Sequence, residues 1–90
     1  MSKWPTSVEI GGRCFQVIRC DIEDFGQMRF DHSQILISDR RSKAEQWTTL
    51  RHEMMHAALH VGGVSHCENY NEEAVVRCLE NLFFPAWESL

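Results

Sequence analysis

Residues 51–57, Arg-His-Glu-Met-Met-His-Ala, hold two histidines four positions apart, with a glutamate directly after the first. An α-helix has about 3.6 residues per turn, so side chains four positions apart lie on one face. His52 and His56 can therefore direct two imidazoles at one metal ion. Glu53 stands beside them, where its carboxylate could hold and deprotonate a water at that metal. The stretch predicts the centre of a zinc site and a helix that carries it.

The residues around this pattern predict a long helix. Ser42 and Glu45 have the spacing of a capping box, in which the serine caps the helix and the glutamate reaches back to it. The helix is expected to run to about His60 and to end at the glycine pair 62–63. Both histidines of the pattern lie off its apolar stripe, so the helix can bury one side and turn another toward a cleft. That stripe, at spacings of three and four, consists of Trp47, Leu50, Met54, Ala57, Ala58 and Val61.

Two strand signals precede this helix. Residues 7–20 alternate apolar and polar side chains on both sides of Gly11-Gly12, a pair that supplies the positive φ angles of a tight hairpin turn. Residues 34–38, Gln-Ile-Leu-Ile-Ser, form a β-rich run whose continuous apolar character indicates burial on both faces. We also interpret this run as a sheet edge that holds a peptide in extended form by backbone pairing.

A second helix is predicted after the loop of residues 62–71. It should run from Glu72 to Phe84, with Asn69 or Asn71 as its cap and Pro85 as its end. Its apolar face would consist of Val75, Val76, Leu79, Leu82 and Phe83. The expected fold class is therefore α+β: a small antiparallel sheet packed on the motif-bearing helix and a C-terminal helix, in one domain of residues 1–90.

The composition limits the classes of partner. A chain of 90 residues makes one small domain, and a net charge of −4 without a large basic patch argues against nucleic acid as a partner. Neither a bilayer-spanning run of roughly 20 apolar residues nor the apolar segment of a secretory signal is present, which predicts a cytoplasmic protein without a membrane partner. The four cysteines contain no Cys-x-x-Cys pair and are expected to be reduced, mostly as small core residues.

A third ligand is needed, because a catalytic zinc site has three protein ligands and keeps its fourth position for water. The acidic pair at the start of the second helix, Glu72-Glu73, is the natural source. Helical phase favours Glu72, which shares a face with the apolar residues of that helix. His60 lies too far along the first helix, more than about 10 Å of rise from the first histidine. His66 with Cys67 remains an alternative ligand pair.

These motifs and their order resemble the ImmA/IrrE type of zinc metallopeptidase, most closely the short forms found in phages and other mobile elements. The resemblance covers residues 25–84. It is carried by Thr-Leu-Arg-His-Glu-Met-Met-His-Ala at 49–57 and by Asn-Glu-Glu-Ala-Val-Val-Arg-Cys-Leu-Glu at 71–80. The step Asn-Glu-Glu-Ala is similar to the start of the third-ligand helix in glutamate-type zincins, which favours Glu73 over Glu72. A metzincin is excluded, because glycine stands at position 62 where its third histidine would be.

The resemblance implies a minimal zincin-like fold in which His52, His56 and Glu73 bind zinc and Glu53 is the catalytic carboxylate. It implies a small zinc-dependent endopeptidase that hydrolyses a peptide bond in a protein target, with Glu53 as general base toward a zinc-bound water. Tyr70 and His66, in the loop between the helices, are candidates for stabilising the oxyanion.

The alternative is a non-catalytic zincin-fold binding or inhibitor module with a structural metal. A fourth protein ligand, such as His66 or Cys67, would favour that interpretation over the peptidase.

Overall fold

Within the described part of the chain, four strands form one sheet, and a long helix packs across it. The computed structural model describes residues 3–90. The strands are β1 Ser7–Ile10, β2 Arg13–Cys20, β3 Gly26–Arg29 and β4 Gln34–Ser38, and the helices are α1 Lys43–Val61, α2 Glu72–Cys78 and α3 Phe84–Glu88. Short 3-10 turns occupy Phe30–His32 and Val64–His66, and a π-helical segment, Leu79–Phe83, joins α2 to α3.

The sheet has the strand order β1-β2-β4-β3. β1 and β2 pair antiparallel across Gly11-Gly12, where both glycines have positive φ, so the predicted hairpin is confirmed. β3 pairs antiparallel with β4, whereas β2 and β4 run parallel. The α+β class is confirmed, but the sheet is mixed rather than antiparallel throughout, because the chain passes along the outer edge as β3 before it returns as β4 beside β2.

β4 lies inside the sheet. It pairs with β2 on one side and with β3 on the other, so the prediction that residues 34–38 form a peptide-guiding edge was wrong. The edge on that side is β3, which the sequence did not predict because Gly-Gln-Met-Arg has little β-branched or aromatic character. Ile35 and Ile37 are fully buried, as the continuous apolar run indicated.

The core lies between the sheet and α1. Burying one large apolar side chain contributes about 1.5–3 kcal/mol relative to leaving it exposed, so this layer holds α1 on the sheet. The predicted stripe of α1 faces the sheet, although Ala58 at its margin is exposed. The buried cluster consists of Phe15, Val17, Ile35 and Ile37 from the sheet with Leu50 and Ala57 from α1.

Both helix starts agree with the capping signals. The Ser42 hydroxyl accepts a hydrogen bond from the backbone N–H of Glu45, and the Glu45 carboxylate accepts one from the N–H of Ser42, which completes the capping box. At α2 the Asn71 side chain accepts from the N–H of Ala74 at 3.0 Å. α1 ends at Val61, one residue before the glycine pair.

The C-terminal helical segment does not end at Pro85. Pro85 stands in the first turn of α3, a position that accommodates proline, and the chain stays helical to Glu88. Glu88 pairs with Arg51 of α1 at 3.4 Å, which ties the end of this segment to the motif helix. Of the predicted apolar face, Val76 is fully buried, whereas Leu82 is largely exposed.

The cysteines are not core residues. Cys14, Cys67 and Cys78 are exposed, Cys20 is half-buried, and all four are free thiols. Cys14 precedes the buried Phe15 on β2, and alternation along the strand therefore places its side chain on the outer face. The prediction of buried cysteines was wrong.

Within residues 3–90, no helix combines the length and the apolar character that a membrane span requires.

β3 approaches α1 so closely that position 26 has no room for a side chain. A Cβ on Gly26 would lie 2.7 Å from Cγ2 of Thr49 and 2.9 Å from the carbonyl oxygen of Leu36. We expect Gly26→Ala to lower the free energy of unfolding by about 1–3 kcal/mol, because the strand or the helix must shift. Urea unfolding measures this loss. Gln27→Ala, exposed on the same strand, is the control and should change stability by less than about 0.5 kcal/mol; equal losses would contradict the close packing.

Candidate metal centre

His52 and His56 project from α1 toward the first turn of α2. Their Nε2 atoms lie 3.2 Å apart, and Oε1 of Glu73 lies 3.2 Å from Nε2 of His52 and 3.4 Å from Nε2 of His56. Tetrahedral ligands at zinc bond lengths are separated by roughly 3.3 Å. The donor set therefore fits a zinc-sized ion in its chemistry and in its spacing. These three side chains could hold one metal ion.

The start of α2 brings Glu73 to the histidines. Asn71 caps the helix, so Glu72 and Glu73 occupy its first turn, and the fully buried Val76 anchors the next turn. The Glu73 side chain is 50% exposed, whereas that of Glu72 is 24% exposed. Glu73 thus reaches the shared side of the two imidazoles from the cleft, and Glu72 points farther into the protein.

Glu72 contacts the opposite side of His56. Its Oε2 accepts a hydrogen bond from Nδ1 of His56 at 2.5 Å, and its Oε1 accepts from the hydroxyls of Ser65 and Tyr70, the latter at 3.3 Å. Burial would raise the pKa of Glu72, but these hydrogen bonds outweigh burial and hold the pKa below its usual value. Helical phase correctly indicated that Glu72 faces inward. Glu72 nevertheless contacts Nδ1 of His56, the ring nitrogen that faces away from Glu73.

Glu80 contacts His52 in the same way. Its Oε1 accepts a hydrogen bond from Nδ1 of His52 at 3.0 Å, and its side chain is 17% exposed. Glu80 was not predicted from the sequence. A signal was present, since Glu80 follows Glu73 by seven residues, about two helical turns, which places the two on one face.

Glu53 lies beside the three donors and beneath β3. Its Oε2 is 3.3 Å from the point where a Cβ on Gly26 would stand. With His52 and Glu73 it lines a cleft of about 550 Å³. Burial raises the pKa of Glu53, the two histidines act in the opposite direction, and the neighbouring carboxylates raise it further. A raised pKa brings a carboxylate closer to the proton affinity that a general base needs near neutral pH.

The pKa of His56 is also raised. Burial favours the neutral imidazole and would lower this pKa, but the hydrogen bond to Glu72 and the charges of Glu53, Glu72 and Glu73 together outweigh burial. Protonation and metal binding compete at this imidazole, because a histidine ligand must be neutral.

The loop residues proposed for other roles lie away from this cleft. Its walls include Phe25, Gly26, Thr49 and Arg77, and within residues 3–90 they do not include Tyr70 or His66. The Tyr70 hydroxyl donates to Glu72 instead, and the ring of His66 lies 5.6 Å from that of His60.

The alternative ligands do not join the three donors. His60 stacks on Phe30 with ring centroids 4.1 Å apart. Among the described residues, the donor group holds His52, His56 and Glu73, without His66 or Cys67.

Comparison with known families identifies a match over most of the chain. The model of a peptidase family, described as the IrrE N-terminal-like domain, matches residues 15–88. The match includes α1 with both histidines and Glu53, and α2 with Glu73. No curated protein and no solved structure matches the chain significantly. Because the family match spans most of the chain, this protein belongs to the IrrE N-terminal-like peptidase family.

Proposed function

We propose that this protein is a zinc-dependent endopeptidase that hydrolyses a peptide bond in a protein or peptide substrate. The observation that carries the proposal is the convergence of Nε2 of His52, Nε2 of His56 and Oε1 of Glu73 at 3.2–3.4 Å beside Glu53. Membership of a peptidase family supports the reaction class. Two imidazoles and one carboxylate are a ligand set typical of catalytic zinc, which would polarise the scissile carbonyl and lower the pKa of a water.

Glu53 performs the proton transfers in this proposal. Its carboxylate takes a proton from the attacking water and then returns it to the amine nitrogen of the leaving peptide. Two features support the role: Glu53 lines the same cleft as His52 and Glu73, and its surroundings raise its pKa. The close approach of Gly26 restricts the carboxylate on the side of β3.

β3 is the element that we expect to hold the substrate. It ends the sheet on the side of the cleft, and Gly26 at its start lines the cleft next to Glu53. A peptide added as a further strand along this edge would pass the three donors with its backbone extended. Arg77, which lies in the cleft wall one turn after Glu73, would supply positive charge for the developing oxyanion.

The binding-module alternative has less support. A structural zinc site is closed by four protein ligands, whereas a catalytic site keeps one position open. The donor group within residues 3–90 has three members, and the exposed thiol of Cys67 is not among them. Three protein donors would leave one coordination position of zinc for water, which favours hydrolysis over a structural role.

Removal of the metal tests the proposal. Dialysis against a chelator should abolish cleavage of quenched-fluorescent casein, and about one equivalent of zinc per chain should restore it, because three ligands define one site. Magnesium should not restore cleavage, since it prefers an octahedral set of oxygen ligands. Protein dialysed without chelator is the control. Cleavage at the full rate after zinc has been removed would contradict the proposal.

A further inference from the structure

We infer that Glu72 and Glu80 are paired positioning residues, one for each of the two histidines, and this inference rests on the proposed metal site. Each histidine directs Nε2 at the position that it shares with Glu73, and its Nδ1 forms a hydrogen bond with another carboxylate. Glu72 accepts a hydrogen bond from Nδ1 of His56 at 2.5 Å, and Glu80 accepts one from Nδ1 of His52 at 3.0 Å. Both carboxylates come from the helical segment that also supplies Glu73.

The hydrogen bonds select the imidazole tautomer. An ionised carboxylate can only accept, so Nδ1 of each ring must donate. A neutral imidazole carries a single N–H, and holding it on Nδ1 leaves the lone pair of Nε2 free for a metal. The same bond fixes the rotation of the ring and increases the basicity of Nε2. Glu72 and Glu80 would therefore hold both histidines in the tautomer and orientation that bind a metal, before the metal is present.

The two carboxylates are themselves held in place. Glu72 is 24% exposed, and its second oxygen accepts from Ser65 and Tyr70, which fixes it from the loop between the helices. Glu80 is 17% exposed and stands in the π-helical segment after α2. π-helical turns inside helices occur frequently at functional sites.

A purely structural role for these contacts is the competing explanation. The pairs His56–Glu72 and His52–Glu80 also join α1 to the C-terminal helical segment. If this were their whole contribution, replacing either glutamate would lower the stability of the protein and affect both histidines alike. A positioning role instead predicts that each replacement affects its own histidine.

Zinc affinity is the first readout. Glu72→Gln and Glu80→Gln should each weaken zinc binding by about 10–100-fold, measured by competition with a chromophoric chelator, because the amide removes the charge that supports the imidazole. Glu88→Gln is the matched control: it makes the same charge change on the same helical segment, but its partner is Arg51. Its affinity should stay within about twofold of the wild type. Affinities of the Glu72 and Glu80 variants equal to that of the control would overturn the inference.

The imidazole protons are the second readout. Long-range nitrogen–proton NMR spectra of the zinc-loaded wild type should show both rings with the proton on Nδ1. Glu80→Gln should shift the Nδ1 proton of His52 and leave that of His56 in place, and Glu72→Gln should do the reverse. Each spectrum is recorded on folded protein, so a loss of stability does not hide the result. A substitution that moved both rings equally, or neither, would overturn the inference.

Both readouts are independent of cleavage. If the protein bound zinc and each substitution affected only its own histidine, but casein stayed intact, the peptidase proposal would be refuted and the positioning role would stand. If cleavage of casein required zinc, but Glu80→Gln and Glu72→Gln bound zinc as tightly as the control, the peptidase proposal would stand. The positioning role would be refuted.

Discussion

Replacing Glu53 by glutamine should reduce cleavage of quenched-fluorescent casein by at least about 100-fold, while zinc binding stays within about twofold of the wild type. Glutamine keeps the size of the side chain and its fit beneath Gly26, but it cannot take a proton from water. The measurement is the initial rate of cleavage by both proteins at equal zinc content, determined by atomic absorption.

Glu9→Gln is the control for this substitution, because Glu9 is exposed on β1 at the opposite edge of the sheet. It should cleave casein at the wild-type rate. Wild-type cleavage by Glu53→Gln with a full complement of zinc would show that Glu53 is not the general base.

His56→Ala should eliminate the stabilisation that zinc confers. A ligand that binds the folded state alone adds about 4 kcal/mol at a free concentration of 1,000 times its Kd, so zinc should raise the Tm of the wild type by many degrees. Alanine removes one of three donors and leaves Glu72 without its imidazole partner. Calorimetric scans with and without zinc measure the difference in Tm.

His32→Ala is the control for this experiment. His32 is exposed at the end of the 3-10 turn before β4, so its loss should leave the zinc-dependent rise in Tm unchanged. An equal rise in the His56→Ala protein would show that the metal binds elsewhere.

α1 could be predicted because independent local signals agree on it. The capping box of Ser42, the apolar stripe and the glycine pair all indicate the same helix, and their agreement is stronger than any one of them. The hairpin at Gly11-Gly12 could be predicted for a similar reason, since its turn chemistry and its alternation are both local.

The arrangement of the remaining strands depends on distant parts of the chain. β3 has little strand propensity of its own and forms because β4 pairs with it, while β4 reaches an interior position by pairing with β2 as well. Such pairings are properties of the whole sheet and leave no local pattern. The exposure of Cys14 follows from the same limit, because the sequence does not show which face of a strand is covered.

The acidic residues of α2 show how far helical phase can be used at a helix start. Phase separates an inward Glu72 from an outward Glu73, and the structure has both orientations. It does not show which orientation reaches Nε2 of the histidines and which reaches Nδ1, because that depends on where α2 crosses α1. The spacing of Glu73 and Glu80 carried usable information, since seven residues bring both to the face that meets α1.

X-ray absorption spectroscopy of the zinc-loaded protein tests whether His52, His56 and Glu73 hold one zinc ion and leave its fourth position open. We expect nitrogen and oxygen atoms bound to the zinc at about 2.0–2.1 Å, with outer-shell scattering from two imidazoles. A sulfur atom at about 2.3 Å, or scattering from more than two imidazoles, would place a further ligand such as Cys67 or His66 on the metal and contradict this three-ligand site.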